Sequence, residues 1–168
     1  MVPVFVSVYA PTGWMRRTRT IQRMEGAQTA PVNLYSTHVR SHQTDLNRAM
    51  YHGAYFDVFD DARIDVFRRL GYTYERSVSE GWFPVIRRVA CEYFAPARMD
   101  DAITVSVLVP ALSKATMTVR YECRREDTLL AVGHAVFAFL DASGRPVRLP
   151  AALRAMVLET AALGPTAA

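Results

Sequence analysis

The stretch QTDLNRAMYHGAYFDVFDDAR, residues 43–63, decides the fold because it passes from a polar loop into an amphipathic helix. Apolar side chains recur at steps of three and four residues: Tyr55, Phe59, Ala62 and Val66. Carboxylates share another face: Asp57, Asp61 and Asp65. This periodicity predicts a helix over residues 53–70. Gly71 is typical of a helix end.

Strand-like runs lie on both sides of this helix. One run precedes it, and four follow it in succession: 33–43, then 84–96, 102–112, 115–125 and 128–140. The links between the last four are short and polar, which favours antiparallel hairpins, because a parallel crossover requires a dozen or more residues. A turn over residues 141–146 and a terminal helix over residues 150–162 complete the pattern. We therefore predict an α+β fold in which an antiparallel sheet wraps on one helix.

The head of the chain differs in composition from the rest. Residues 1–14 are mostly apolar and residues 15–24 are basic, an order opposite to that of a secretory signal. The apolar part is also too short to span a bilayer, so no integral membrane association is expected. We expect residues 1–30 to form a poorly ordered extension, with Met24 as an alternative start. A basic anchor or an added edge strand is the other interpretation. Residues 31–168 are predicted to form a single domain.

The charge distribution argues against a nucleic-acid partner. The net charge of +4 comes from four arginines in the first 24 residues, where there is no Asp or Glu. Because these are four of the 20 basic residues, 16 remain from Glu25 onward to face 16 acidic ones. A neutral body implies no broad phosphate-binding field. Cys91 and Cys123 fit buried thiols in a reducing compartment, so a cytoplasmic location is expected.

The predicted architecture also indicates an oligomer. A two-layer domain of this size leaves the far face of its sheet and the edge strands uncovered. Pairing with a second copy would bury both, so we expect a homo-oligomer. His134 lies on a strand with Val132 and Val136, and a core or interface histidine is the favoured interpretation there.

Asp45 is the candidate for chemistry, and two interpretations of it remain open. Aspartate is common in loops because it forms Asx turns and caps helices, which is a purely structural role. Alternatively, a carboxylate beside a helix N-terminus can attack an acyl carbonyl or activate water. The free N–H groups and the positive end of the helix dipole would then hold the oxyanion.

Residues 35–149 resemble the 4-hydroxybenzoyl-CoA thioesterase branch of the hot-dog superfamily, especially its short bacterial acyl-CoA thioesterases. That branch reads roughly D-x-D, a short loop, Y-H-x-x-Y and E-x-A-R. The same spacing occurs here in Gln43-Thr44-Asp45, Tyr51-His52-Gly53-Ala54-Tyr55 and Asp60-Asp61-Ala62-Arg63. Two later motifs also match: E-Y-x-x-P-x-R-x-x-D from Glu92 to Asp101, and G-R-P-x-x-x-P from Gly144 to Pro150. The resemblance implies a hot-dog fold, paired into dimers whose interface forms the active site.

The resemblance also implies roles for individual residues. Asp45 falls on the catalytic carboxylate, as nucleophile or general base, and His52 on the position whose backbone N–H polarises the thioester carbonyl. Tyr51 would line the acyl pocket, or alternatively belong to an aromatic core. Lys114 would hold the nucleotide phosphates, unless it is a solvated turn residue. The residues assigned to substrate binding are Tyr51, Gly53, Arg87, Lys114 and Thr116.

Two of these assignments carry a further argument. Thr116 falls where the branch often has Ser or Thr beside the reaction centre. Arg87 is a second phosphate candidate because it is expected to share a strand face with apolar neighbours, where an isolated charge needs a partner. That partner would be a substrate carboxylate or a structural Asp or Glu. The apolar neighbours are Val85, Val89, Cys91 and Tyr93.

Three departures from the family pattern concern the acyl pocket more than the reaction. Gln43 replaces the first Asp of D-x-D, and Ala54 replaces a frequent Asn. Asn47 and Arg48 replace the loop glycines, and Arg tolerates positive φ poorly, so a different loop path is expected. With Lys114 as the one clear basic residue at the nucleotide turn, acyl carrier protein remains an alternative to CoA as the thiol carrier.

We therefore predict a cytoplasmic acyl thioesterase that acts on acyl-CoA or an acyl carrier protein thioester. It is expected to be a homodimer or homotetramer, with no cofactor, no metal and no nucleic-acid partner. The alternative is a non-catalytic acyl-CoA-binding hot-dog protein that senses a ligand or assembles with others. A hot-dog dehydratase or hydratase fits less well, because no His and acid occur in the order those enzymes use.

Overall fold

Helix α1, Ala54–Arg69, lies at the centre of the fold. The computed structural model describes residues 33–162, so the expectations for residues 1–30 fall outside the described part. The helix follows the predicted bounds closely, and the chain turns away at Gly71, which has a φ of +81°. A positive φ is a conformation that glycine adopts at little cost, which explains why the helix ends there.

The sheet has six antiparallel strands in the order β1-β3-β4-β5-β2, with β6 paired to β5. The strands are β1 Asn33–His38, β2 Trp82–Tyr93, β3 Ala102–Leu112, β4 Thr116–Arg125, β5 Thr128–Asp141 and β6 Pro146–Val147. Two more helices are α2 Tyr74–Ser79 and α3 Ala151–Ala162. The predicted α+β architecture, with an antiparallel sheet around one long helix, is confirmed.

One feature before α1 and one feature after it differ from the predictions. Strand β1 ends at His38, earlier than predicted, because residues 41–43 form a 3₁₀ turn in which Gln43 Oε1 accepts a hydrogen bond from the Arg40 amide at 2.8 Å. Helix α2 was not predicted. Its local signal is Thr73, whose side chain caps the helix by accepting from the Arg76 amide at 3.2 Å.

The hairpin prediction is right for β3–β4 and β4–β5 but wrong for β2–β3. Strand β2 pairs with β5, whereas β3 pairs with β1 and β4. The link between β2 and β3 packs against the start of α1 instead of forming a tight turn. Within it Ala97 is fully buried, its carbonyl accepts from the Met50 amide at 2.8 Å, and its amide donates to the Tyr55 hydroxyl at 3.4 Å.

The core lies between the apolar face of α1 and the inner face of the sheet. Phe59 stacks on Tyr121 with ring centroids 4.9 Å apart and planes at 7°. Gly133 on β5 faces the same ring, and a Cβ there would lie 2.3 Å from Phe59 Cε2. Because Gly133 has no side chain, the stacked rings of Phe59 and Tyr121 can pack against β5.

The outer face of the sheet carries charged and polar side chains. Glu122 forms an ion pair with Arg120 and lies 3.5 Å from Arg124. His134 is aligned with Arg120 across the β4–β5 pair and is exposed, so the core interpretation of this histidine is wrong. An interface role for it stays a prediction. Within residues 33–162, no helix combines the length and apolar character that crossing a bilayer requires.

Candidate active site

Asp45 lies in a tight loop that leads into α1. An isolated backbone bridge between Thr44 and Met50 closes this loop. The Asp45 carboxylate is exposed and accepts a hydrogen bond from the Asn47 amide at 2.7 Å through Oδ1. This bond is an Asx turn, so the structural role considered for Asp45 is present. Oδ2 has no hydrogen-bond partner within the described part of the chain, which leaves the carboxylate free for chemistry as well.

The arginine in this loop adopts the conformation that a glycine would favour. Arg48 has a φ of +57°. The left-handed region is uncommon for residues other than glycine, so the substitution costs some backbone strain. Arg48 nevertheless adopts this conformation, so its poor tolerance of positive φ gives no reason to expect a different loop path.

Two peptide units at the start of α1 have fixed carbonyls and free amides. The Tyr51 carbonyl accepts from the Ala54 amide at 2.9 Å, and the His52 carbonyl accepts from the Tyr93 hydroxyl at 2.9 Å. The amides of these same units belong to His52 and Gly53. Neither amide has a hydrogen-bond acceptor among residues 33–162. Free N–H groups at a helix N-terminus are suited to hold a developing oxyanion.

Gly53 allows the ring of Tyr51 to lie against the start of the helix. A Cβ at Gly53 would lie 2.5 Å from Tyr51 Cε1. The Tyr51 and His52 rings have centroids 4.2 Å apart, and both side chains are exposed. Tyr51 therefore covers the helix entrance from outside and is not part of the aromatic core.

The loop is held in place by the end of β2 and the link that follows it. The Tyr93 ring meets the Tyr55 ring edge to face at 5.3 Å. Burial raises the pKa of Tyr55 to about 12 and also raises the pKa of Tyr93, so both hydroxyls keep their protons near neutral pH. The path from Asp45 into α1 is held by the Ala97 carbonyl, which binds the Met50 amide, and by the Tyr93 hydroxyl, which binds the His52 carbonyl.

Lys114 and Thr116 lie at the opposite end of the strands from Asp45. Strand β3 starts close to the Asp45 loop, because the Ala97 carbonyl in the link just before it accepts from the Met50 amide of that loop at 2.8 Å. Its 11 residues span about 35 Å before the turn that contains Lys114. Thr116 hydrogen-bonds through its hydroxyl to Ser113 at 2.8 Å and closes that turn. A single protomer therefore does not bring Lys114 or Thr116 to the carboxylate.

A cationic cavity of about 450 Å³ adjoins Lys114. It is lined by Leu112, Ser113, Lys114, Arg148, Leu149 and Arg154. Among the described residues that line it, three are basic and none is acidic, so two arginines from outside the turn lie together with Lys114. The sequence reasoning missed Arg148 and Arg154. The G-R-P-x-x-x-P motif contains Arg148 and could have drawn attention to it, but Arg154 lies in α3 and gave no signal.

Arg87 lies neither in the Asp45 loop nor in the lining of the cationic cavity. The expectation that it shares a strand face with apolar neighbours is wrong. A bulge between Ile86 and Arg88 shifts the register of β2 on β5. Val85 pairs with the outer-face residue Ala138, whereas Val89 pairs with the buried Ala135, so the two valines face opposite sides. Arg87 itself is exposed at this bulge. An exposed guanidinium needs no buried partner.

A second cavity of about 290 Å³ lies between the C-terminal half of α1, α2 and α3. Its walls are mainly apolar and aromatic, including Phe67, Tyr72, Trp82, Phe139 and Leu153. None of its lining residues belongs to the Asp45 loop.

Comparison with known proteins agrees with this fold. Residues 39–157 match the family model described as the thioesterase-like superfamily. A putative esterase from Aquifex aeolicus is 28% identical over 117 residues, covering 70% of this chain and 91% of that protein. The acyl-CoA thioesterase YbgC of Haemophilus influenzae is 26% identical over 114 residues, covering 67% and 84%.

A solved structure gives the same fold. The 1,4-dihydroxy-2-naphthoyl-CoA thioesterase from Synechocystis superposes with a TM-score of 0.70 at 16% identity, covering 75% of this chain and 95% of that one. At this identity the likeness concerns the fold alone. The matched residues contain the Asp45 loop, α1 and the four long strands β2 to β5. The prediction of a thioesterase is confirmed at the level of the family, and this chain belongs to the thioesterase-like superfamily.

Proposed function

We propose that the protein hydrolyses acyl-CoA thioesters, with Asp45 as nucleophile or general base. The observation that carries this proposal is the exposed Asp45 carboxylate in the loop that enters α1, where the His52 and Gly53 amides are free. The thioesterase-like family and a relative named as an acyl-CoA thioesterase support the same reaction.

Hydrolysis requires only water, the Asp45 carboxylate and the two free amides. As general base, Asp45 takes a proton from water while the water oxygen adds to the thioester carbonyl carbon. The carbonyl electrons move onto oxygen, where the His52 and Gly53 amides stabilise the negative charge. Collapse of this intermediate breaks the C–S bond, and the thiolate leaves and takes up the proton. As nucleophile, Asp45 would instead form an anhydride with the acyl group, which water then cleaves.

The cationic cavity favours CoA over acyl carrier protein as the thiol carrier. Lys114, Arg148 and Arg154 surround it without an acidic neighbour in its lining. Phosphate groups are bound by such clusters through charge-assisted hydrogen bonds, and CoA carries its phosphates on the nucleotide. We propose that this cavity holds them.

A second copy of the chain is needed to join the two parts of the site. Asp45 and Lys114 lie at opposite ends of the strands in one protomer, as described above. Large apolar side chains are exposed near Asp45, as expected of a surface that another chain covers: Leu46, Tyr51, Phe94 and Met99. We therefore propose a homodimer or homotetramer in which the cationic cavity of one copy serves Asp45 of another. The free thiols of Cys91 and Cys123 support a reducing, cytoplasmic location.

A screen of acyl-CoA thioesters tests the proposal. Straight-chain acyl-CoAs of several lengths and benzoyl-CoA are incubated with the purified protein, and the release of free CoA thiol is followed. Hydrolysis that depends on Asp45 supports the proposal. The Asx turn gives Asp45 a structural role too, which favours a non-catalytic acyl-CoA-binding protein as the second candidate. Binding of these ligands by calorimetry without thiol release would favour that candidate.

A further inference from the structure

The Tyr93 hydroxyl joins the end of β2 to the helix entrance. This hydroxyl donates to the His52 carbonyl at 2.9 Å, across 41 positions of the chain. The carbonyl of His52 and the amide of Gly53 belong to the same planar peptide unit. A group that holds the carbonyl therefore also sets the direction of the Gly53 N–H.

We propose that Tyr93 is a positioning residue for thioester hydrolysis, which holds the His52–Gly53 peptide so that the Gly53 N–H meets the reacting carbonyl oxygen. The inference rests on the proposed function. Tyr93 would not touch the substrate. It acts through the peptide that it binds.

The position of Tyr93 in the fold makes this contact rigid. It is the last residue of β2, where the backbone is paired with Ala131 of β5. Its ring is half-buried and meets the Tyr55 ring, which is itself almost fully buried. A side chain held on a strand by packing can position a peptide more precisely than a solvated one.

The hydrogen bond also strengthens the donor. A bond received by a peptide carbonyl polarises the whole unit, so its N–H becomes a better donor to a developing negative charge. The neighbouring peptide unit contains the His52 amide and the Tyr51 carbonyl. This carbonyl accepts from the Ala54 amide, which lies in the same turn. Of the two free amides, only that of Gly53 thus depends on a residue from the sheet.

Tyr93→Phe tests the inference, with Tyr55→Phe as its matched control. Both substitutions remove one hydroxyl from the same pair of rings, and only Tyr93 bonds to the His52–Gly53 peptide. Tyr55 bonds to the Ala97 amide instead. We expect Tyr93→Phe to lower kcat about 3- to 10-fold, because the variant loses stabilisation of the transition state equivalent to about one hydrogen bond. KM should stay within about twofold, because the peptide acts on the developing charge. Tyr55→Phe should keep kcat near that of the unchanged protein, even if its melting temperature falls.

A spectroscopic measurement separates positioning from a general loss of structure. A ¹³C-labelled acyl-CoA, the panel member that the unchanged protein hydrolyses fastest, is bound to Asp45→Asn protein, and its carbonyl stretch is recorded by isotope-edited infrared spectroscopy. Adding Tyr93→Phe should move the band to higher wavenumber, because the carbonyl is less polarised. Adding Tyr55→Phe should leave the band in place.

The outcomes are distinct. A Tyr93→Phe protein with unchanged kcat and an unmoved carbonyl band would overturn the inference while leaving the proposed function intact. Equal losses of kcat in both Phe variants would overturn it too, since they would indicate loosening of the loop. Absence of thioester hydrolysis by the unchanged protein would remove the proposed function and this inference together.

Discussion

Replacing Asp45 by Asn separates the two roles of this residue. Asn has the same size as Asp and offers the same side-chain carbonyl oxygen to the Asn47 amide, which Asp45 holds at 2.7 Å. The Asx turn is therefore retained, and only the negative charge and the basicity are lost. Because the side chain is exposed, little rearrangement is expected.

The expected loss of activity is large. A positioned general base contributes about 10² to 10⁴ in rate, which corresponds to about 2.7 to 5.4 kcal/mol of activation free energy. The kcat of Asp45→Asn should fall by at least about 100-fold. KM should change little, because the carboxylate acts mainly in the transition state. The free energy of unfolding should change by less than about 0.5 kcal/mol, as at most exposed sites.

Thiol release from acyl-CoA gives kcat and KM, and urea unfolding gives the stability. Asp61→Asn is the matched control, since it removes an exposed carboxylate from α1 away from the loop, and it should be fully active. Asp45→Ala should lose activity like Asp45→Asn and also lose the Asx turn, at about 1 kcal/mol. Full hydrolysis by folded Asp45→Asn would refute the assignment of Asp45 and leave catalysis to the helix amides.

Three further substitutions test other parts of the structure. Lys114→Glu should raise KM for acyl-CoA about tenfold or more and leave hydrolysis of a short acyl-pantetheine thioester unchanged, because only the former carries nucleotide phosphates; equal effects would remove Lys114 from the phosphate site. Gly133→Ala should lower the free energy of unfolding by about 1 to 3 kcal/mol in urea, since the new methyl group overlaps the buried Phe59 ring, and wild-type stability would contradict this packing. Hydrogen bonds from Tyr72, then from Arg76 and from the Trp82 indole, lower the pKa of Glu80 from 4.5 to about 2. Because the folded pKa is depressed, Glu80 stabilises the fold above about pH 4.5, and this contribution is lost as the pH falls toward 2. The melting temperature of Glu80→Gln should therefore lie below that of the unchanged protein at neutral pH and approach it near pH 2, whereas a constant gap would argue against the shift.

Local patterns in the sequence were enough to predict α1 and most of the strands. A helix that buries one face repeats its apolar residues every three to four positions, so the bounds of α1 could be read from residues 53–70 to within one residue at each end. Strand β3 was predicted with its observed limits, Ala102–Leu112, because short polar links bound its apolar run on both sides. The adjacency of Asp45 to the start of α1 follows from chain spacing alone.

Pairings between distant segments could not be read in this way. The predicted β2–β3 hairpin failed because Ala97 binds the entrance of α1, a contact that joins residues far apart in the sequence. The face of Arg87 was misjudged because a single bulge reverses the alternation of β2 from that point on. Neither the long-range contact of Ala97 nor the bulge in β2 changes the spacing of apolar residues in the local sequence.

The sequence by itself determined α1 and most of the strands and placed a carboxylate in the loop before a helix N-terminus, because both depend on residues close together in the chain. Only the tertiary structure gathered Lys114, Arg148 and Arg154 around one cavity, set Tyr93 against the His52 carbonyl, and separated that cavity from Asp45 by the length of β3. These relations depend on strand order and register, which follow from packing of the whole sheet on α1 and not from the residues of any one segment.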